Sequence, residues 1–340
     1  MKYNVVRAFG LTCLFILAVS ATALEPEAVL EPGVPRSDKA FLNDPRHFSF
    51  VVMGDRTGGH RPGVFRHAIE QVNWLQPEFV VCVGDLIEGY TGDPATLSQQ
   101  WNELDAMVDR LEMPFFYTVG NHDFSNPVMQ EYWRTHLGKD YYAFTYNNVL
   151  FVSLNTEDPP VALPPEIQAR QHQLEAAMER DPESTQQRIL DISKGRPAAP
   201  KLPGSVAISD GQVEWFENTL EAHADIRWTV VLMHKPAWMY ASEAFEQIEA
   251  LLADRPYTVI AGHEHFYHHE KRNGRDYIDM GTTGGVWLRD GPGRFDHVIW
   301  VTMTETGPVF ANLKLNGILD VTGKSPFDSD TKGAPPVGSK

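Results

Sequence analysis

Carboxylate, amide and imidazole groups follow five apolar, strand-like runs in this chain of 340 residues. Because an open α/β sheet delivers the residues at the carboxyl ends of its strands to one edge, we expect these groups to meet there. Hard and borderline metal ions bind such mixtures of oxygen and nitrogen ligands. The pattern therefore predicts a metal site and metal-assisted chemistry. The five clusters are Gly54-Asp55, Gly84-Asp85, Gly120-Asn121-His122-Asp123, His234 and Gly262-His263-Glu264-His265.

Small residues and regular spacing strengthen the metal interpretation. Glycine comes directly before Asp55, Asp85, Asn121 and His263, and a residue without a β-carbon lets the chain turn sharply, so that the next side chain points into a crevice. His263 and His265 alternate along an extended segment, which places both imidazoles on one side, where they can share a metal. One such cluster is typical of an ordinary turn, whereas all five together favour a metal centre.

The elements that would position these ligands follow from the periodicity of apolar residues. Continuous apolar runs predict strands covered on both faces, alternating sequences predict antiparallel strands, and a period of 3.6 residues predicts helices. The sequence therefore indicates an α/β fold. The predicted buried strands cover residues 48–53, 79–83, 115–119, 228–233 and 257–261, and the predicted antiparallel strands cover 141–146, 149–154, 277–280, 298–303 and 309–315. The predicted helices cover residues 63–75, 97–111, a segment that starts at an Asp210 N-cap, and 242–253.

The charge of the chain limits its partners. The formal net charge of −16 at pH 7 argues against nucleic acid or an anionic membrane as the expected partner. An acidic protein that acts on an anionic phosphate needs bound cations to reverse the local field. We therefore expect a small molecule as the partner and cations as the cofactors.

The amino terminus is typical of an export signal. Lys2 and Arg7 precede an apolar stretch over residues 11–19 and a small-residue cleavage site at residues 21–23. The apolar stretch is too short to span a bilayer comfortably, although a retained anchor is the alternative. We therefore expect a signal peptide over residues 1–23, no stable membrane insertion after its removal, and a periplasmic or secreted mature protein.

Composition divides the remainder of the chain. Prolines and charges over residues 24–46 predict an amino-terminal arm, and residues 47–320 are expected to form the main domain. Within it, a helical segment over about 159–205 is rich in Gln, Glu, Arg and Ala, and we interpret it as an insertion that acts either as a lid or as a solvated spacer. Residues 321–340 are predicted to form a flexible tail.

The order of the five clusters resembles that of the calcineurin-like metallophosphoesterases, over roughly residues 47–285. The resemblance implies two mixed β-sheets packed as a sandwich, helices on the outside and a two-metal site at one end. Asp85 would bridge the two ions, which are about 3.5–4 Å apart in such sites. Manganese, iron or zinc would suit the ligands. One ion would also bind Asn121, His234 and His263, and the other Asp55 and His265.

The resemblance also implies the reaction. A phosphomonoester or phosphodiester would be cleaved by a metal-bound hydroxide, and His122 would act as the general acid for the leaving group. Glu88 stands three residues after Asp85, where the family has the acid that orients this histidine. Arg56 or His60 is predicted to reach the phosphate as a charge-assisted donor.

The first motif departs from the pattern of the family. Thr57 stands where many relatives have a histidine ligand. Three outcomes follow: an ion completed by water, which we favour, replacement of the ligand by His60 or Tyr90, or loss of the weaker ion. The alternative function is therefore a metal-holding binding protein with weak or lost catalysis.

Overall fold

The computed structural model describes residue 44 and residues 46–160, 163–195 and 205–327. The predicted signal peptide, nearly all of the predicted arm and most of the predicted tail lie outside the described residues. The described elements belong to one compact unit that begins at Arg46. Among them, no helix combines the length and the apolar character needed to cross a membrane.

The described chain contains eleven strands and eight helices, together with short 3₁₀ turns. The strands are β1 (Phe48–Met53), β2 (Phe79–Cys82), β3 (Phe115–Phe116), β4 (Tyr142–Tyr146), β5 (Val149–Ser153), β6 (Trp228–Leu232), β7 (Tyr257–Ala261), β8 (His268–Arg272), β9 (Arg275–Asp279), β10 (His297–Thr304) and β11 (Gly307–Lys314). The helices are α1 (Val64–Leu75), α2 (Pro94–Val108), α3 (Asn121–Phe124), α4 (Pro127–His136), α5 (Pro165–Arg180), α6 (Pro182–Ser193), α7 (Asp210–Ala222) and α8 (Glu243–Leu252).

The strands form two mixed sheets. The first has the order β11-β10-β1-β2-β3, in which β1, β2 and β3 are parallel and β10 is antiparallel to both its neighbours. The second has the order β4-β5-β6-β7-β9-β8, in which β5, β6, β7 and β9 are parallel and both edge strands are antiparallel. The parallel strands form one side of the first sheet and the centre of the second, and they point their carboxyl ends toward one end of the fold.

Residues of one strand alternate between two hydrophobic clusters. In β1, Phe50 and Val52 enter the cluster between the two sheets, together with Phe151 of the second sheet, whereas Val51 and Met53 enter the cluster beneath α1 and α2. The outer face of the second sheet is covered in the same way by α7 and α8. Burial on both faces explains the continuous apolar runs in the sequence. This helix–sheet–sheet–helix order confirms the predicted fold class.

Some elements differ from the sequence-based prediction. Strand β9 is parallel to β7, whereas the sequence indicated antiparallel strands throughout that region. Its edge neighbour β8 was not predicted because it consists of charged and imidazole side chains, which protect a sheet edge but mask the strand pattern. Helix α7 is capped by Ser209 rather than Asp210, which lies in the first turn, where a carboxylate favours the helix dipole.

The third strand is also shorter than predicted. The apolar run over residues 115–119 indicated a strand of that length, but only Phe115 and Phe116 pair with β2. Further along, the Thr118 N–H donates to the Cys82 sulfur at 3.1 Å instead of to a carbonyl of β2. The chain therefore leaves the sheet early and turns toward α3.

We expect Phe151→Ala to destabilise the fold more than an exposed substitution. Phe151 is fully buried and lies edge-on to Phe50, with ring centroids 5.1 Å apart, and to Phe79, at 5.2 Å. Removal of such a ring leaves a cavity between the sheets and should lower the free energy of unfolding by about 3–5 kcal/mol. Chemical denaturation measures this loss. The control, Val309→Ala at an exposed edge position, should change stability by less than about 0.5 kcal/mol, and equal midpoints for the two variants would contradict the expectation.

Candidate metal centre

The two sheets deliver their strand ends to the same place. Asp55 follows β1 and Asp85 follows β2 in the first sheet, whereas His234 follows β6 and His263 follows β7 in the second. Asn121 begins the short helix α3, after β3. The face-to-face packing of the sheets therefore brings together candidate ligands that are far apart in the sequence.

Two groups of candidate ligands share one carboxylate. The ligand atoms of Asp85, His234 and His263 lie within 4.8 Å of one another, and the same limit holds for Asp55, Asp85 and His265. His234 Nε2 is 3.1 Å from Asp85 Oδ2, and His265 Nε2 is 3.5 Å from Asp55 Oδ1. Asp85 belongs to both groups, which is the position that a bridging carboxylate requires in a site for two cations.

Asn121 completes the first group. Its Oδ1 lies 3.0 Å from His234 Nε2, and its Nδ2 donates to the Tyr90 hydroxyl at 2.6 Å. His263 Nδ1 lies 3.2 Å from the same His234 nitrogen, whereas His234 Nδ1 is 2.8 Å from the Val83 carbonyl, to which it donates. The amide is therefore held with its oxygen, not its nitrogen, facing the imidazoles.

Buried charge in the site fits bound cations. Among the described side chains, Asp55 Oδ2 is buried without a hydrogen-bond partner. Burial raises the pKa of Asp55 well above its ordinary value; the His234 charge opposes this shift and the Asp85 charge reinforces it. Burial lowers the pKa of His234, but the charge and hydrogen bond of Asp85, together with the charge of Asp55 and the hydrogen bond to Val83, outweigh burial and raise that pKa to about 9. Cations between these groups would supply the missing positive charge and hold the carboxylates ionised and the imidazoles neutral.

Four of the candidate ligands have an unusual backbone conformation. A left-handed φ costs a residue with a side chain about 1–3 kcal/mol, and such residues cluster at functional sites. The glycine before His263 reflects a close approach, because a β-carbon at Gly262 would overlap with Asp55 Oδ2. The backbone conformation that directs these side chains inward therefore lowers the stability of the fold. The four candidate ligands concerned are Asp55 (φ 48°), Asp85 (φ 54°), His263 (φ 77°) and His265 (φ 51°).

His122 lies beside the two groups. Its backbone N–H donates to Asp85 Oδ1 at 2.9 Å, and its Nε2 is 4.0 Å from Asp85 Oδ2. Its Nδ1 lies 2.7 Å from the main-chain carbonyl of Glu88. The sequence indicated that the carboxylate of Glu88 would orient this imidazole, but the structure shows the carbonyl in that place. The ring is therefore held at Nδ1, and Nε2 is left for a ligand.

The Glu88 carboxylate organises a neighbouring loop instead. It accepts hydrogen bonds from the Gly59 N–H at 3.0 Å and the His60 N–H at 2.7 Å, and it contacts His60 Nδ1 at 2.9 Å. Burial raises the pKa of Glu88, but hydrogen bonds, the strongest of them with His60, and the charge of His122 together outweigh burial and hold that pKa well below its ordinary value. Glu88 is therefore an anion that fixes the Gly59–His60 loop.

The two side chains that could replace a histidine ligand at the position of Thr57, His60 and Tyr90, both have other partners. Thr57 is buried, and its N–H donates to the Asp85 carbonyl at 3.2 Å. His60 contacts Glu88, and the Tyr90 hydroxyl contacts Asn121. The Asp55 position therefore has Asp55, Asp85 and His265 as its candidate ligands among the described residues.

Arg56 is buried and has protein partners. Its guanidinium donates to the Leu86 carbonyl at 2.7 Å and forms an ion pair with Glu103. Burial lowers the pKa of Arg56, although the charge of Glu103 opposes the shift. Its role in binding phosphate stays a prediction.

Asp123 has a structural importance that the sequence did not reveal. Its Oδ2 accepts from the N–H groups of Asp85, at 2.8 Å, and Gly120, at 3.0 Å. Its Oδ1 accepts from the N–H groups of Leu86 and Ile87. One buried carboxylate thus ties the loop of Asp85 to the loop of Asn121. The only sequence signal was its place next to His122, which does not specify these partners.

Comparison with known proteins defines the family. The sequence profile of the calcineurin-like phosphoesterases matches residues 48–267. A search of curated protein sequences found no match. The chain belongs to the calcineurin-like phosphoesterase family, as the motif order indicated.

Two solved structures, a purple acid phosphatase and PhoD, share the fold at low sequence identity. Purple acid phosphatase PPD1 from yellow lupin (Lupinus luteus) seeds is 14% identical with a TM-score of 0.52, over 79% of this chain and 51% of that chain. A structure of PhoD is 12% identical with a TM-score of 0.50, over 79% and 68% of the two chains. A dimetal phosphatase from Danio rerio is 14% identical with a TM-score of 0.49, over 78% and 98%. This chain thus spans about half of the lupin phosphatase chain, and the likeness concerns the fold alone.

Proposed function

We propose that this protein is a metal-dependent phosphoric ester hydrolase that cleaves phosphomonoesters or phosphodiesters. The observation that carries the proposal is the sharing of Asp85 by two groups of ligand atoms, each within 4.8 Å. Membership of the family supports a phosphoester as the substrate. The chain is acidic and would repel an anionic substrate without bound cations, so the proposed activity requires the cations of the site.

The residues of the site divide into two roles. When bound, two cations such as manganese, iron or zinc would supply an activated water and neutralise the phosphate oxygens. Asp85 would contact both, while the other ligands hold one each. The residues proposed for the first position are Asn121, His234 and His263, and those for the second are Asp55 and His265.

His122 is proposed as the proton donor to the leaving group. Its Nδ1 is occupied by the Glu88 carbonyl at 2.7 Å, so the proton to be transferred resides on Nε2. That nitrogen lies beside the shared carboxylate, at 4.0 Å from Asp85 Oδ2. A histidine held at one nitrogen in this way can deliver a proton from the other without rotating.

We propose export for this protein on the basis of its amino-terminal residues. The basic start, the apolar stretch and the small-residue site over residues 1–23 support a cleaved signal and a periplasmic or secreted location. Detection of a mature chain that begins near residue 24 in the secreted or periplasmic fraction would test this.

An activity assay with a matched variant tests the hydrolase proposal. Purified protein supplied with Mn²⁺ is assayed on 4-nitrophenyl phosphate and bis(4-nitrophenyl) phosphate, and Asn121→Ala/His122→Ala is assayed alongside. We expect hydrolysis of at least one ester and a loss of about 10²-fold or more in the double variant. Elemental analysis should find two cations in the wild type.

The alternative proposal, a metal-holding binding protein, makes a different prediction in the same assay. It is supported by Thr57, which leaves the Asp55 position with few protein ligands. A wild type that binds cations but hydrolyses both esters no faster than the double variant would replace the hydrolase with the binding protein.

A further inference from the structure

The helical insertion contacts the main-chain segments that border the metal centre. In α6, the Gln186 side chain makes two hydrogen bonds with the backbone of Trp287: its Nε2 donates to the carbonyl at 2.9 Å, and its Oε1 accepts from the N–H at 2.9 Å. Gln186 is buried, at 6% exposure. A two-point hydrogen bond of this kind fixes both the position and the orientation of a peptide segment.

The fixed segment holds one of the candidate ligands. Val286, directly before Trp287, has its carbonyl 2.6 Å from His265 Nδ1. Because that contact requires the hydrogen on Nδ1, the lone pair is on Nε2, the nitrogen that faces Asp55 Oδ1 at 3.5 Å. The orientation of the His265 ring therefore depends on where the Val286 carbonyl lies.

The other helix of the insertion, α5, packs against the same segment. Leu174 and Met178 of α5 meet Val286 around Gly59, where an added β-carbon would lie 3.0–3.3 Å from all three side chains. Both Met178 and Val286 are fully buried. The insertion is thus packed against the rim of the centre by apolar contact as well as by hydrogen bonds, which does not fit a solvated spacer.

We propose that Gln186 is a positioning residue for His265, and that the insertion is thereby part of the second cation position. This inference rests on the proposed two-cation centre. It is selective, because His265 belongs to the group with Asp55 and Asp85 and not to the group with His234 and His263. The group of His265 has few protein ligands, since Thr57 stands where a histidine is expected. Misplacement of one ligand should therefore weaken cation binding at this position strongly.

The test measures cation binding and not hydrolysis. Mn²⁺ is titrated into the metal-free full-length chain by calorimetry, with wild type, Gln186→Ala and Gln186→Met compared. Methionine keeps the volume of the side chain but removes both hydrogen bonds, so it serves where alanine impairs folding. The control is Gln187→Ala, the exposed neighbour on the same helix, whose side chain bonds only to Asp191 among the described residues.

We expect the weaker of two Mn²⁺ sites to lose about tenfold or more in affinity in both Gln186 variants, and the tighter site to change little. Electron paramagnetic resonance at two equivalents of Mn²⁺ per chain, and at a concentration that fills both sites of the wild type, should then show isolated ions in the Gln186 variants in place of the spin-coupled pair of the wild type. Gln187→Ala should behave as wild type in both measurements.

Two results would overturn the inference. Unchanged affinities in a folded Gln186→Met chain would show that the contact does not position His265, and equal weakening of both sites would indicate a general structural role. A wild type that binds a single Mn²⁺ would instead remove the two-cation centre itself. A wild type that binds two ions without hydrolysing esters would refute the hydrolase proposal and leave this inference standing.

Discussion

Asp85→Asn is expected to abolish the binding of the cation pair and to lower kcat/KM by about 10³-fold or more. Asparagine keeps an oxygen that can accept the His122 N–H, which Asp85 Oδ1 now accepts at 2.9 Å, but it loses the charge and the second oxygen. Asp85 contributes to both groups of ligand atoms, so the substitution affects both positions. A cation pair supplies several kcal/mol of transition-state stabilisation, and about 4 kcal/mol corresponds to about 10³ in rate.

Elemental analysis and steady-state kinetics measure the effect. Asp254→Asn is a suitable control, because it removes the same charge at an exposed position between α8 and β7. That variant should keep both cations and its turnover. Retention of two cations and of most activity in Asp85→Asn would show that the shared carboxylate is not the bridge, and the proposed centre would have to be abandoned.

His122→Ala is expected to reduce hydrolysis in a way that depends on the leaving group. An alkyl phosphate leaves as a strong base and needs a proton, so its turnover should fall by about 10²–10⁴-fold. A 4-nitrophenyl ester leaves as a weak base, and its turnover should fall by less than about tenfold. The cation content should not change, because His122 belongs to neither group of metal-binding atoms found among the described residues.

Parallel assays of the two esters and an elemental analysis provide the measurement. His268→Ala, at an exposed position on β8, removes a histidine without touching the site and should leave both rates unchanged. Equal losses on the alkyl and the nitrophenyl esters would exclude proton donation and indicate that the imidazole acts in positioning Asp85, whose Oδ2 lies 4.0 Å from His122 Nε2.

Much of the fold followed from patterns that are local in the sequence. Apolar runs such as residues 48–53 and 257–261 predicted strands with the observed limits. The continuity of these runs indicated strands buried on both faces. The ends of the strands predicted which side chains would meet, and Asp85 and His234 do lie in contact. The order of the motifs was sufficient to indicate the family, which the sequence profile over residues 48–267 confirms.

Other features depended on chain segments that no local pattern connects. The sequence indicated an acid to orient His122, yet the orienting group is the main-chain carbonyl of Glu88. Asp123 accepts hydrogen bonds from two loops, and strand β8 pairs at an edge despite its polar sequence. In each case the partner is chosen by the packing of the whole fold.

The sequence by itself determined the kind of elements, the end of the sandwich at which polar residues gather, and the chemical types of the candidate ligands. Only the tertiary structure decided which atoms hold them: Gln186 reaches Trp287, 101 residues away, and thereby supports the carbonyl that faces His265. The physical reason is that periodicity reflects burial, which is averaged over an element. A hydrogen bond instead depends on distances of a few tenths of an ångström between groups whose separation in space is set by every layer packed between them.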